Sequence, residues 1–138
     1  MAYRSDVRIV VSNRGYNELK NYVDNNLPKD CRQYNLLNLI DVQKQAEDQI
    51  YLGWNEVKWY EDTGFKEVET IMNGLNYLRD NEYSYNYARL GEDTSDYEEK
   101  YFNGENDKDV FLEFPQLERY FDDEQFTSIN EIGKDVEM

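Results

Sequence analysis

The chain of 138 residues contains no histidine, one cysteine and two prolines. Without histidine it lacks the commonest general base and transition-metal ligand of proteins. The single cysteine, Cys31, allows no disulfide within the chain and no paired-thiol metal site, and it indicates a reducing compartment. We expect Cys31 to be a small buried apolar residue, because no histidine is present to activate its thiol.

Long apolar runs and glycine-rich loops are also missing. No run approaches the roughly 20 apolar residues of a transmembrane helix, and the first residues lack the apolar core of a signal peptide. Neither common type of glycine-rich phosphate loop is present. These absences predict a soluble, cytoplasmic protein that needs no cofactor and does not bind a membrane.

Basic charge is scarce in the second half of the chain. Residues 1–60 contain eight acidic and eight basic residues, whereas residues 61–138 contain twenty-two acidic and seven basic ones, so the whole net charge of −15 lies in the second half. A field of one sign repels nucleic acid and anionic membranes and steers basic molecules toward itself. The charge therefore predicts a basic protein partner and no direct binding of nucleic acid.

Aromatic residues accompany this charge. Residues 80–124 contain fifteen acidic residues, four basic residues and ten aromatic residues. Disordered acidic segments are poor in aromatic residues, because such segments have too little apolar surface to bury. We therefore expect this stretch to fold and to present a structured anionic surface.

Hydrophobic periodicity predicts the fold. Residues 6–12 are predicted to form a strand, followed by a helix over residues 14–26 that is capped by Ser12 or Asn13 and closed before Pro28. A break at Thr63–Gly64 precedes a second helix, which runs from about residue 65 to residue 80. Further strands are predicted at residues 35–42, 49–60, 83–90, 97–102 and 110–114.

The connections complete this prediction. Residues 43–48, 91–96 and 103–109 are expected to be turns or loops, and the alternation changes phase at residues 53–56, which indicates a bulge or tight hairpin. Val110, Leu112 and Phe114 are the predicted inward positions of the last strand, and a short helix follows Pro115. The sum is a single α+β domain over residues 1–128, with an antiparallel-rich sheet packed by two main helices and a frayed tail at residues 129–138.

Carboxylates offer one enzymatic alternative. Glu56 and Lys58 form a Glu-x-Lys triplet on a predicted strand, with Asp41 upstream, a pattern typical of metal-dependent nucleases. Because an acidic surface repels a nucleic-acid substrate, this interpretation ranks below a binding function. A calcium loop over residues 103–114 is excluded by Lys108 at its sixth position and Phe114 at its twelfth. We predict that the protein is not an enzyme and binds no metal; a phage structural or accessory protein is a third hypothesis.

The acidic surface itself is the main functional candidate. Same-face residues on a strand lie about 6.6–6.8 Å apart, close to two steps of about 3.4 Å along a nucleic-acid strand. Carboxylates on strands and turns can therefore imitate a phosphate backbone, and aromatic residues can anchor an interface. The candidate partner-binding residues are Asp93, Asp96, Glu98, Glu99, Glu105, Asp107, Asp109, Glu113, Tyr97 and Tyr101.

Two pairs of stretches carry a resemblance: residues 7–12 (VRIVVS) with 15–20 (GYNELK), and residues 54–60 (WNEVKWY) with 65–68 (FKEV). They resemble small acidic proteins encoded by phages and mobile elements of bacteria, some of which are anti-CRISPR inhibitors that mimic nucleic acid. The resemblance assigns no functional residue. It implies an inhibitor in the host bacterial cytoplasm that binds a CRISPR effector or another defence protein.

Overall fold

The computed structural model describes residues 3–59, 65–93 and 95–115. These residues form a five-stranded, fully antiparallel sheet in the order β2-β3-β1-β4-β5, with two α-helices packed on it. The predicted α+β fold is confirmed. The elements are β1 (Ser5–Ser12), α1 (Asn13–Asn26), β2 (Val42–Gln45), β3 (Gln49–Val57), α2 (Lys66–Asp80), β4 (Tyr85–Gly91) and β5 (Tyr97–Phe102), with 3-10 turns at Lys29–Tyr34, Leu36–Asn38 and Glu105–Asp107.

The main core lies between one face of the sheet and the two helices. Val7, Ile9 and Val11 of the central strand β1 point to this face and are fully buried. Both helices contribute apolar side chains from one side, such as Leu19 of α1 and Leu75 of α2. This is the periodicity that the sequence shows, and the two predicted helices are confirmed to within one residue at each end.

The start of α1 follows directly from β1. Ser12 is the N-cap, as predicted, and its Oγ accepts a hydrogen bond from the backbone N–H of Gly15 at 2.9 Å. An N-cap side chain satisfies one of the otherwise unpaired N–H groups of the first turn. Ser12 is also buried, so its hydroxyl needs a second partner within the protein.

The strand β3 contains the predicted bulge. Its register with β1 shifts between Ser5 and Val7, and Glu56 adopts a φ of 52°. A left-handed residue occurs in the G1 type of β-bulge, where it is a glycine. The strand ends at Val57 rather than at residue 60, and Trp59 turns back into the core, where its ring lies 5.7 Å from that of Trp54.

The prediction of a strand at residues 35–42 is wrong. The apolar residues here form a 3-10 turn at Leu36–Asn38, and the side chain of Asn35 accepts a hydrogen bond from the N–H of Leu37. Such local side-chain bonds compete with a strand ladder. The edge strand β2 instead begins at Val42 and includes residues predicted as a turn, and Ala46 donates to the carbonyl of Gln49 across the hairpin.

The prediction of a strand at residues 110–114 is also wrong. This segment lies over the second face of the sheet, where side chains rather than a neighbouring strand satisfy its backbone. The amide of Gln49 donates to the carbonyl of Phe111 at 3.0 Å and accepts from the N–H of Glu113 at 2.9 Å. Asn86 donates to the carbonyl of Glu113 at 3.0 Å, and Leu112 packs on a small second core.

The remaining described elements agree with prediction. The strand β5 has the predicted bounds, and the strand β4 begins two residues later than predicted. The break at Thr63–Gly64, the short helix after Pro115 and the frayed tail lie outside the described residues. Within residues 3–59, 65–93 and 95–115, no helix has the length and apolar character needed to cross a membrane.

Candidate partner-binding surface

The strand β5 forms one edge of the sheet. Its residues Tyr97, Glu99 and Tyr101 lie on the face away from the helices, opposite Leu90, Ala88 and Asn86 of β4. Tyr97 is 60% exposed, Tyr101 is 65% exposed, and Glu99 between them is exposed as well. We call the set Tyr97, Glu99, Tyr101 and Phe114 the aromatic edge.

Phe114 joins this set from the segment that crosses the second face. Its ring meets the ring of Tyr101 edge-on, with centroids 5.9 Å apart, and the side chain is 55% exposed. The described part of the chain has seven exposed large hydrophobic residues, and four of them lie within residues 97–114. Exposed apolar side chains mark interaction sites when they are contiguous, as the rings of Tyr101 and Phe114 are, whereas scattered ones are normal.

Four of the predicted carboxylates are exposed in the described part of the chain. Glu99 and Glu105 are exposed, and neither forms an ion pair with a described residue. Asp93 is exposed, and hydrogen bonds from the backbone N–H and the hydroxyl of Ser95 lower the pKa of its carboxyl. Asp109 is 79% exposed and meets Arg14 only at 3.5 Å. These four predicted residues therefore present their carboxylates at the surface.

Two other predicted residues are neutralised within the fold. The guanidinium of Arg89, whose side chain is 17% exposed, bonds Asp96 at 2.9 Å and Glu98 at 3.2 Å. Burial disfavours the charge of Arg89, but the hydrogen bonds to these carboxylates outweigh burial and raise its pKa. The hydroxyl of Tyr3 also donates to Asp96 at 2.6 Å. Asp96 and Glu98 therefore act mainly within the fold.

Asp107 does not belong to the exposed surface that the sequence predicts. Its side chain is completely buried and accepts hydrogen bonds from the hydroxyl of Ser12 and the backbone N–H of Ser84, both at 2.9 Å. Arg14 donates to its other oxygen at 3.0 Å. This carboxylate therefore connects the β1–α1 junction to the residue before β4. The prediction that Asp107 belongs to the exposed partner-binding surface is corrected: its role is structural.

The turn that carries Asp107 is held by close backbone contact. Gly104 packs against the backbone of Glu82, and a Cβ atom at this position would collide with the Glu82 carbonyl group. Its N–H donates to the hydroxyl of Ser84 at 2.8 Å, and the N–H of Asn106 donates to the Glu82 carbonyl at 2.8 Å. The turn after β5 is thus fixed to the connection between α2 and β4.

The nuclease candidates line one shallow cavity of about 380 Å³. The carboxylate of Asp41 accepts a hydrogen bond from the N–H of Asn55 at 2.8 Å, and Glu56 sits on the bulge. Lys58, just beyond the end of β3, also lines this cavity. Among the residues that the structure describes, no group of three or more Cys, Asp or Glu side chains is placed to hold a metal ion.

The pair of Asp96 and Arg89 predicts a pH dependence of stability. Hydrogen bonds from Arg89 and then from Tyr3 lower the pKa of Asp96. The stabilisation is therefore present above the ordinary Asp pKa of about 3.9 and is lost as the pH falls through the lowered value. We expect Asp96→Asn to unfold at lower urea concentration than the native chain at pH 7, and the difference to disappear in acid.

The control for this experiment is Asp24→Asn on the exposed side of α1, which has no partner among the described residues. Urea unfolding monitored by circular dichroism between pH 7 and pH 2 measures both variants. A difference between Asp96→Asn and the native chain that stays constant across this range would contradict the assignment, because it would not depend on the carboxylate charge.

No family model, no curated protein and no solved structure matches the chain. The interpretation of the surface therefore rests on its own chemistry. That chemistry consists of exposed aromatic rings, carboxylates without basic partners among the described residues, and the edge of a sheet.

Proposed function

We propose that the protein is a binding inhibitor that occupies the nucleic-acid site of a basic partner. The observation that carries this proposal is the aromatic edge, an exposed Tyr97–Glu99–Tyr101 row with Phe114 packed on it, in the half of the chain that holds the entire net charge of −15. The row combines the two properties that a nucleic-acid site recognises, negative charge and flat rings.

The chemistry of nucleic-acid sites explains why the aromatic edge would fit one. Proteins that bind single-stranded nucleic acid combine a basic groove for the backbone with side chains on which bases stack, including aromatic rings and arginine. On this protein, the carboxylates of Glu99 and Glu105 take the part of phosphates, and the rings of Tyr97 and Tyr101 take the part of bases. Arginine side chains of the partner would stack on these rings and pair with Glu99.

Charge and rings have different roles in this mode of binding. The anionic field speeds the encounter with a basic surface, and its effect falls as salt screens it. The exposed rings supply the desolvated contacts that slow dissociation. Asp96 and Glu98 are paired with Arg89, Asp107 is buried, and Glu113 is only partly exposed. Among the described candidates, the steering therefore depends most on Asp93, Glu99, Glu105 and Asp109.

The resemblance to phage inhibitors indicates which partners to examine first. A bacterial defence protein that handles nucleic acid, such as a CRISPR effector, has the basic site that this surface fits. In that case the protein acts in the cytoplasm of the host bacterium. Affinity capture from a bacterial lysate, followed by mass spectrometry, identifies the partner, and single-stranded nucleic acid should displace the protein from it.

Removal of surface charge tests the proposal. In Glu99→Gln with Glu105→Gln, we expect association with the captured partner to slow about three- to tenfold at low salt, because two steering charges are gone, and the loss to shrink as salt rises. The matched control is Asp24→Asn with Glu47→Gln, two exposed acids in the neutral half. Surface plasmon resonance over a range of salt concentrations measures both. Capture of acidic partners alone, or indifference to nucleic acid, would refute the proposal.

The shared cavity of Asp41, Glu56 and Lys58 keeps a nuclease as the second candidate. That function demands cleavage of DNA or RNA in the presence of magnesium or manganese, and the loss of cleavage in Glu56→Gln and Lys58→Ala. Such a result would replace inhibition as the function. A structural role in a phage particle would instead show as large homomeric assemblies of the purified protein.

A further inference from the structure

The backbone of β5 faces alternately toward β4 and toward the outer edge of the sheet. The N–H of Gly91 donates to the carbonyl of Asp96 at 2.8 Å, which identifies Gly91 and Asp96 as a hydrogen-bonded pair of the antiparallel ladder. Such pairs alternate with pairs that are not hydrogen-bonded. In the register of β4 and β5, Tyr97, Glu99 and Tyr101 belong to the pairs that are not hydrogen-bonded. Their N–H and C=O groups therefore point outward.

Within residues 3–59, 65–93 and 95–115, no strand pairs with this outer edge. The opposite edge of the sheet is β2, which has four residues, whereas β5 has six. An unpaired edge is a template for another strand. The side chains of the same three residues stand exposed on one face, so an added strand would meet backbone groups and side chains together.

Charge decides which strand fits. A second copy of the chain would bring its own carboxylates and its own net charge of −15 to the edge, and like charges opposite one another destabilise a strand pair. A basic segment would instead place a cation opposite Glu99. Basic side chains two residues to either side would lie opposite Tyr97 and Tyr101, where their cationic groups can contact the rings.

We propose that β5 is a strand-addition site, which binds an extended segment with Lys or Arg at alternate positions. This inference rests on the proposed function and gives the manner of contact: the partner contributes one strand to the sheet. Main-chain hydrogen bonds to Tyr97, Glu99 and Tyr101 provide affinity. The alternating cations, aligned with Glu99 and the two tyrosines, provide specificity and register.

The test uses a blocked six-residue peptide that alternates Lys and Val, together with two isomers. One isomer is N-methylated on every Lys, and the other on every Val. Because alternate residues of a strand direct their N–H groups to opposite edges, only one isomer loses the donors that face β5. We expect that isomer to bind at least about tenfold more weakly than the parent peptide, and the other isomer to bind as the parent does.

Hydrogen exchange on the native protein provides a second measurement that needs no variant. On binding of the parent peptide, the amide protons of Tyr97, Glu99 and Tyr101 should exchange more slowly, while those of Glu98 and Lys100, which already face β4, should change little. Equal binding of the two isomers, no binding of the parent peptide, or unchanged exchange at the three amides would overturn strand addition.

The two proposals fail in different ways. If the captured partner is displaced by nucleic acid but the peptide results are negative, the function stands and strand addition falls. If no basic partner is captured, the proposed function falls. Dimers of the free protein, detected by sedimentation, with the three amides already protected would show that a second copy occupies the edge, and would overturn the assignment of a basic occupant.

Discussion

Replacement of Asp107 by alanine is expected to lower the free energy of unfolding by about 3–4 kcal/mol, because the change removes a buried charged acceptor. The completely buried carboxylate accepts three hydrogen bonds, from Ser12, Ser84 and Arg14. In the variant, the buried hydroxyl of Ser12 and the buried N–H of Ser84 lose their acceptor, and an unsatisfied buried donor is costly. The loss spans three parts of the fold, so unfolding should remain cooperative.

Asp109→Ala is the matched control for this prediction. Asp109 lies two residues further along, its side chain is 79% exposed, and its contact with Arg14 is 3.5 Å long. Its removal should change the free energy of unfolding by no more than about 0.5 kcal/mol. Urea unfolding of both variants measures the difference. Equal stability of Asp107→Ala and Asp109→Ala would contradict the buried network.

Only part of the network around Asp107 is predictable from the sequence. The helix cap at Ser12 is predictable, because a serine before an amphipathic stretch is a local signal. Nothing local distinguishes Asp107 from Glu105 or Asp109, since all three occupy one acidic turn. Asp107 turns inward because Ser12, 95 residues away, and Ser84, 23 residues away, present donors there.

The two errors in secondary structure have a related cause. Residues 35–42 and 110–114 both contain apolar residues suited to strands, but only Val42 among them lies in a strand, as the first residue of β2. In the first, Asn35 bonds the backbone two residues on. In the second, Gln49 and Asn86 reach up from the sheet and satisfy the backbone groups. In both segments, amide side chains satisfy backbone groups that would otherwise pair with a neighbouring strand. Hydrophobic periodicity does not reveal such side-chain hydrogen bonds.

The aromatic edge was predictable in part. The acidic and aromatic composition of the second half predicts Tyr97 and Tyr101 as candidates, but the alternation of tyrosines does not say which sheet face the helices cover. The structure answers this: Tyr85 and Tyr87 lie in the main core, whereas Tyr97 and Tyr101 point to the other face. The sequence predicts that Phe114 points inward, and its place beside Tyr101 depends on how residues 110–115 cross the sheet.

The tyrosines give the functional prediction with the largest effect. If the aromatic edge anchors the partner, Tyr101→Ala should weaken binding by about 2 kcal/mol, or about 30-fold, almost entirely through faster dissociation. Tyr101 is the expected centre because Phe114 packs against it and holds its ring in place. Phe114→Ala should therefore weaken binding less, by about three- to tenfold, since Tyr101 remains but is less constrained.

Tyr34→Ala is the matched control, because Tyr34 is also exposed, at 51%, but lies in the half of the chain with no net charge. Surface plasmon resonance with the captured partner measures association and dissociation for each variant. Tyr101→Ala should leave association and its salt dependence unchanged, the reverse of the pattern expected for Glu99→Gln with Glu105→Gln. Melting temperatures show whether a variant has lost its fold, which we do not expect for a ring that is 65% exposed. If Tyr101→Ala dissociates no faster than Tyr34→Ala, then charge alone holds the complex and the rings are not its anchor.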